Sequence, residues 1–273
     1  MKTEAILILS LVCTACWAGV GGAAGARGPG VSAGPRFIFR PGEVLAYRWE
    51  EKGPEVEGIG RAKGTLTLRT LAVTTGGIGK IEVSAQGAGR VFTGGRWAPL
   101  SPGSTPPVIA LVKSDGTITQ LQDDKGQHLT LMGMIGRVFG AQGMNGGAGA
   151  VGSVLVMYRL LGLQLPARIP AAGGTYPGFL YEECTKHVVV SGKGTDTVSL
   201  EVHPATFKFL GSTSRGGTAC LAFLCPQSTL RSELRQAGVK VYFDPAGGRV
   251  VAYEGESGGT VSSMELEAVR RAP

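Results

Sequence analysis

Short runs of strict two-residue alternation, each closed by a glycine-led turn, limit this chain's fold more than any other feature. The stretch "VIALVKSDGTITQL" is the clearest, with Asp115-Gly116 at its centre. An acid followed by glycine supplies the left-handed backbone a tight hairpin needs, and the flanking alternation gives each strand one apolar face. The same grammar recurs. In "PGEVLAYRWEEKG", Leu45, Tyr47 and Trp49 fall on one face and Ala46, Arg48 and Glu50 on the other. "GTLTLRTLAVTTGGIGKIEVSA" turns at Gly76-Gly77, and its apolar phase slips near Arg69, as a β-bulge produces. Further hairpins are expected about Gly94-Gly95, Gly192 to Gly194, Arg215-Gly216 and Asp244 to Gly248, with a last strand in "TVSSMELEAV". "STLRSELRQAG" reads instead as one short surface helix. With 45 glycines among 273 residues and few aromatics, the core is built mostly from small aliphatic side chains.

The N-terminus belongs to a different category. Met1 to Glu4 is a short charged start, and Ala5 to Val20 carries no charge. That run is too short for a comfortable membrane span and suits a signal peptide. "AGA" at Ala24 to Ala26 offers a cleavage site, giving a leader over 1–26 and a Gly/Ala/Pro-rich linker over 27–35. Thr14-Ala15-Cys16 also resembles the end of a bacterial lipobox, although Cys13 stands where that pattern has leucine or a similar residue. Two destinations follow: soluble export to the periplasm or exterior, or lipid anchoring through Cys16.

From residue 123 to 170 the alternation stops. Helical pieces are expected over about 128–139 and 153–161, flanking a glycine-rich loop. The second is apolar almost all round, so Val154, Met157, Tyr158 and Leu161 are candidates to line an apolar groove. Arg159 and its shortness argue against a membrane span, leaving no transmembrane helix in the mature chain. Asp123-Asp124 stands where acids at a helix N-terminus belong, and "LPARIPAAGGTYPG" reads as a Pro/Gly linker. The fold class is therefore mainly β with a small helical insertion. A β half over 36–122 and another over 171–273 form a curved sheet or open barrel, with helices packed in or over it. Both halves carry a Pro-Gly followed by an aromatic strand, at Pro41-Gly42 and Pro177-Gly178, which shared turn chemistry explains better than a repeat does.

"FIFRPGEVLAYRWE", with the later "SDGTITQL" and "YFDPAGGRVVAYEG", resembles uncharacterised exported bacterial β-rich proteins that open on Phe-x-Pro-Gly-x-x-x-x-Tyr. The layout is loosely similar to periplasmic lipoprotein carriers of the LolA type. The resemblance implies a curved sheet around an apolar groove and transfers no functional residue.

Motifs that suggest chemistry fail on context. "GESGG" at Gly255 to Gly259 matches the serine-hydrolase elbow, but no His or Asp follows Ser257 and 14 residues cannot complete a protease barrel. "GAGAVG" at Gly147 to Gly152 lacks a preceding strand and an acid about 20 residues on, so it is no dinucleotide site. Cys184-x-x-His187 with Cys220 and Cys225 has unusual zinc spacing, and an oxidising compartment favours a disulfide of Cys184 with Cys220 or Cys225. Cys220 and Cys225 are five apart and would point to opposite faces of one strand. No catalytic residue, metal or cofactor is assigned. The net charge of +7 is spread singly, which does not make a nucleic-acid surface. Two readings remain in front. One is a non-enzymatic envelope protein holding an apolar, lipid-like ligand; the other is a structural or protein-interaction module with a filled core. An enzyme of unrecognised type, assembled from distant strands, is the third.

Overall fold

The computed structural model describes residues 34–56, 60–104, 107–127, 129, 160–190, 193–226, 238–257 and 260–271. Twelve strands make one antiparallel sheet: β1 Glu43–Lys52, β2 Gly60–Val73, β3 Gly79–Thr93, β4 Arg96–Ser104, β5 Val108–Val112, β6 Ile118–Gln122, β7 Thr175–Val190, β8 Lys193–Arg215, β9 Thr218–Pro226, β10 Gly238–Asp244, β11 Arg249–Ser257 and β12 Thr260–Arg271. The order is β6-β5-β3-β2-β1-β12-β11-β10-β9-β8-β7, and β4 pairs the far half of β3. Most neighbours are joined by hairpins. The exceptions are β3 with β5, which β4 separates in sequence, and the centre, where β1 and β12 pair from Glu43 opposite Arg271 to Lys52 opposite Val261. The two sequence halves are thus the two wings of one sheet, which stays open because β6 and β7 do not pair.

Local chemistry accounts for the hairpins. Asp115 accepts the Thr117 amide at 2.9 Å while Lys113 and Thr117 close the turn. Asp244 accepts the amides of Ala246 and Gly247 at 3.0 and 2.8 Å. Gly216-Gly217 joins Arg215 to Thr218, and Gly255 to Ser257 of "GESGG" lie in β11, with Ser257 pairing Thr260 of β12. The bulge expected near Arg69 lies between Thr70 and Ala72. Others break the registers of β1 with β12, β3 with β4, β8 with β9, and β10 with β11. Each adds twist and bends the sheet.

Three expectations need correction. Asp123 does not start a helix: it opens another hairpin turn, its carboxylate accepting the Lys125 and Gln127 amides at 2.9 and 2.7 Å. Leu129 then donates to Leu121 at 2.8 Å, continuing the pairing. An Asp side chain that caps a turn and one that caps a helix use the same acceptor, so the residue type did not separate them. The Pro/Gly linker expected over 165–178 starts in the core, since Leu165 is buried, and ends inside β7, which begins at Thr175. Pro177-Gly178 lies inside edge strand β7, whereas Pro41-Gly42 precedes central strand β1, so the two are not equivalent positions. No complete helix occurs among the described residues; the expected helices over 128–139, 153–161 and 228–238 lie almost wholly outside them.

Curvature follows from what the segment 160–167 touches. Leu165 donates to Asp115 in the β5–β6 turn at 2.9 Å, and the Gln164 carbonyl accepts the Tyr176 hydroxyl of β7 at 3.1 Å. One strap therefore meets both wings of an open sheet. The N-terminal segment closes beside it: Gly34 donates to Ala167 at 3.0 Å, Phe37 to Ser114 at 2.7 Å and Ile38 to Gly248 at 3.0 Å.

Candidate functional site

The side chains that alternate onto the concave face form one apolar cluster. From one wing come Leu66, Leu68, Ile81, Val83 and Val112; from the other come Phe207, Phe209, Phe223, Val241 and Phe243; Tyr47, Trp49 and Met264 stand between. Aromatic rings meet within it, Phe37 edge-on to Phe243 at 5.3 Å and Tyr176 stacked on Phe207 at 5.5 Å. Burial pushes the Tyr47 and Tyr176 hydroxyls far above the ordinary tyrosine range, so both stay neutral donors. The Tyr47 hydroxyl donates to the Val250 carbonyl at 2.8 Å.

The strap end of this face is filled. Leu160, Leu161, Leu163 and Leu165 are all buried in the cluster. The cavity left between Leu160, Leu161, Phe37, Phe39, Leu45 and Leu68 is about 20 Å³, enough for one water and no more. Leu161, a candidate groove residue, is thus a core residue, while Val154, Met157 and Tyr158 lie outside the described residues.

At the other end the face is lined by small residues. Trp49 lies across the β2–β3 pair where Gly64 faces Gly87. A methyl at Gly87 would sit 2.6 Å from Trp49 Cζ2, and one at Gly64 2.8 Å, so only glycine lets the ring lie there. Trp49 is 1% exposed, and its Nε1–H has no acceptor among the described residues. A buried donor left unpaired costs about 1–3 kcal/mol. No periodicity or motif marks such an atom; the only sequence signal was an aromatic flanked, on neighbouring strands, by glycines whose pairing was not legible.

Beside the cluster, a charged group fastens β1 to the β10–β11 hairpin. Glu43, 4% exposed, accepts from Arg249 at 3.2 Å and Arg40 at 3.5 Å, and Arg249 lies 3.7 Å from Asp244. Its carboxylates and guanidiniums neutralise each other.

The cysteines occupy separate places. Cys225 is in the apolar cluster, and Cys220 points to the opposite face, as their spacing requires. Cys220 donates to Thr218 at 3.2 Å, and burial pushes its thiol up. In the register Cys184 faces Ser199, whereas Cys220 faces Thr213 and Leu224 faces Lys208. Cys225 accordingly stands opposite Phe207, eight residues along β8 from Ser199, or about 26 Å at strand rise. This register does not bring Cys184 together with either partner, whose Cα atoms a disulfide needs within about 7 Å. Among the described residues no three His, Cys, Asp or Glu side chains converge on a metal position. Cys16 lies outside the described residues.

No protein-family model matches the chain, and no curated protein matches it. Among solved structures it is similar to a β-barrel-like protein of domain of unknown function DUF1849 from Brucella abortus, at 9% identity and a TM-score of 0.42, over 89% of this chain and 100% of that one. It is also similar to lipovitellin, at 12% identity and 0.44, over 86% of this chain but only 26% of that one. A DUF1329 family protein from Desulfovibrio piger follows, at 8% identity and 0.26, over 84% of this chain and 85% of that one.

Proposed function

We propose that this is a non-enzymatic protein of the bacterial cell envelope that holds an apolar ligand with a hydrogen-bond acceptor, such as an acyl chain with its carbonyl, against the β1–β3 end of the concave face. The observation that carries the reading is the Trp49 indole N–H, buried in apolar surroundings with no acceptor among the described residues. A ligand oxygen there would remove the cost of the unpaired donor, and the glycines beneath the ring leave the sheet surface low. Export is part of the proposal, resting on the uncharged run from Ala5 to Val20. The second reading, a structural or interaction module with a filled core, is favoured by one observation, the strap end packed down to a cavity of about 20 Å³.

Native mass spectrometry of the protein expressed in a bacterial host with its own leader tests both the ligand and the destination. A lipid-sized adduct that is lost in Trp49→Phe supports the carrier reading. Bare protein, with no uptake of a fluorescent fatty acid afterwards, supports the filled module instead. The same spectrum distinguishes a chain starting near Arg27 from one starting at an acylated Cys16.

A further inference from the structure

The outer face of the sheet carries a feature unrelated to the concave cluster. At the corner formed by β2, β3 and β4, Arg61 and Arg90 stand directly opposite each other on paired strands. Like charges placed so are destabilising unless something lies between them. Here it is Trp97, with the Arg61 guanidinium 4.3 Å and that of Arg90 5.1 Å from its ring centre. Phe92 meets the same ring edge-on at 5.3 Å, and Trp97 Nε1 donates to Glu55 at 3.2 Å. The β3–β4 turn, Thr93 to Arg96, puts a further arginine at the tip.

Cations outnumber acids at this corner. An open depression of about 580 Å³ beside the stack is lined by Lys52, Arg61, Lys63 and Arg90, with Glu50 and Glu51. Lys52 pairs Glu50 at 2.9 Å, and Arg61 pairs Glu55 at 3.8 Å. Lys63, Arg90 and Arg96 are exposed and have no carboxylate partner among the described residues. An exposed corner with surplus cations, an indole and a phenyl ring has the composition of membrane-interface anchors. The rings sit at headgroup level and the arginines pair with lipid phosphates.

We infer that the β3–β4 corner docks the protein reversibly on an anionic lipid surface, through the phosphates of its headgroups. Arg90, Arg96 and Lys63 supply the attraction; Trp97 and Phe92 supply the shallow apolar contact. The inference does not depend on the concave face holding a ligand.

Co-sedimentation of the full chain, purified without an acyl anchor, with vesicles tests it. Binding is expected to phosphatidylcholine vesicles containing about 30% phosphatidylglycerol, to weaken with salt, and to be absent with phosphatidylcholine alone. Arg90→Gln with Arg96→Gln should weaken binding about thirtyfold. The charge-matched control, Lys125→Gln with Lys240→Gln at two exposed lysines far from this corner in sequence, should weaken it far less. Circular dichroism confirms that both variants fold. Failure of the wild type to bind, or equal losses in the two double variants, overturns the proposal. Competition by inorganic phosphate at equal phosphate concentration, leaving no preference for the vesicle, overturns it in favour of a free-anion site.

Discussion

A methyl group added at Gly116 meets two obstacles. The residue holds a left-handed φ of +89°, and its Cβ would fall on the Leu163 carbonyl oxygen well inside van der Waals contact. Gly77 has a similar φ of +75° but nothing within reach of a Cβ. Their alanine variants therefore separate backbone strain from the strap's close approach. Gly77→Ala should cost about 1 kcal/mol and Gly116→Ala about 3 kcal/mol, read as shifts in the urea midpoint. Equal losses would mean that the strap does not press on the turn. The glycine itself was readable in advance, because Asp-Gly between alternating strands demands left-handed backbone. Its second role was not, since nothing near Gly116 in sequence announces Leu163.

At the scale of the element, the strap 160–167 replaces the hydrogen bonds that β6 and β7 do not make with each other. Its hold is mainly apolar burial, with Leu163 only 2% exposed. Leu163→Ala should lower stability by about 3 kcal/mol, as other buried leucine truncations do. Val269→Ala, at 45% exposure on β12, should change it by less than about 0.5 kcal/mol. Thermal unfolding of the pair checks both. The hairpins were legible because each is settled by neighbours in the chain: Asp115, Gly76-Gly77, Gly216-Gly217 and Asp244 act within four residues. The end of the strap was misread as linker because Pro166, Pro170 and Gly173-Gly174 describe only local backbone, while Leu165 is tied to Asp115 in the distant β5–β6 turn. Asp123 was misread for the opposite reason, since its local chemistry fits two structures equally well. The central pairing of β1 with β12 has no local signal at all.

For the whole molecule, the two buried tyrosines report whether the wings unfold together. Tyr47 is on the central strand and Tyr176 on edge strand β7. Both hydroxyls titrate well above the ordinary value in the folded chain. Above about pH 10 the unfolded chain therefore releases protons that the native protein keeps, and stability falls as pH rises. The expected slope is about 1.4 kcal/mol per pH unit for each tyrosine, with no loss below that range. Tyr47→Phe and Tyr176→Phe should each flatten the alkaline slope of one shared unfolding transition, followed by denaturant titration from pH 9 to about 11.5. Two separate transitions would mean that the wings are independent. The pairing of β1 with β12, from Glu43 opposite Arg271 onward, joins the two wings in the formed sheet, and it has a consequence for timing. Because β1 precedes β12 by nearly the whole sheet in sequence, one of its edges stays bare until β12 is in place. That open ribbon is an invitation to wrong neighbours throughout synthesis, and it stays soluble only while something else keeps it apart. Completion of the centre therefore waits on β12, the last of the twelve strands in sequence order, however early the hairpins on either side have formed.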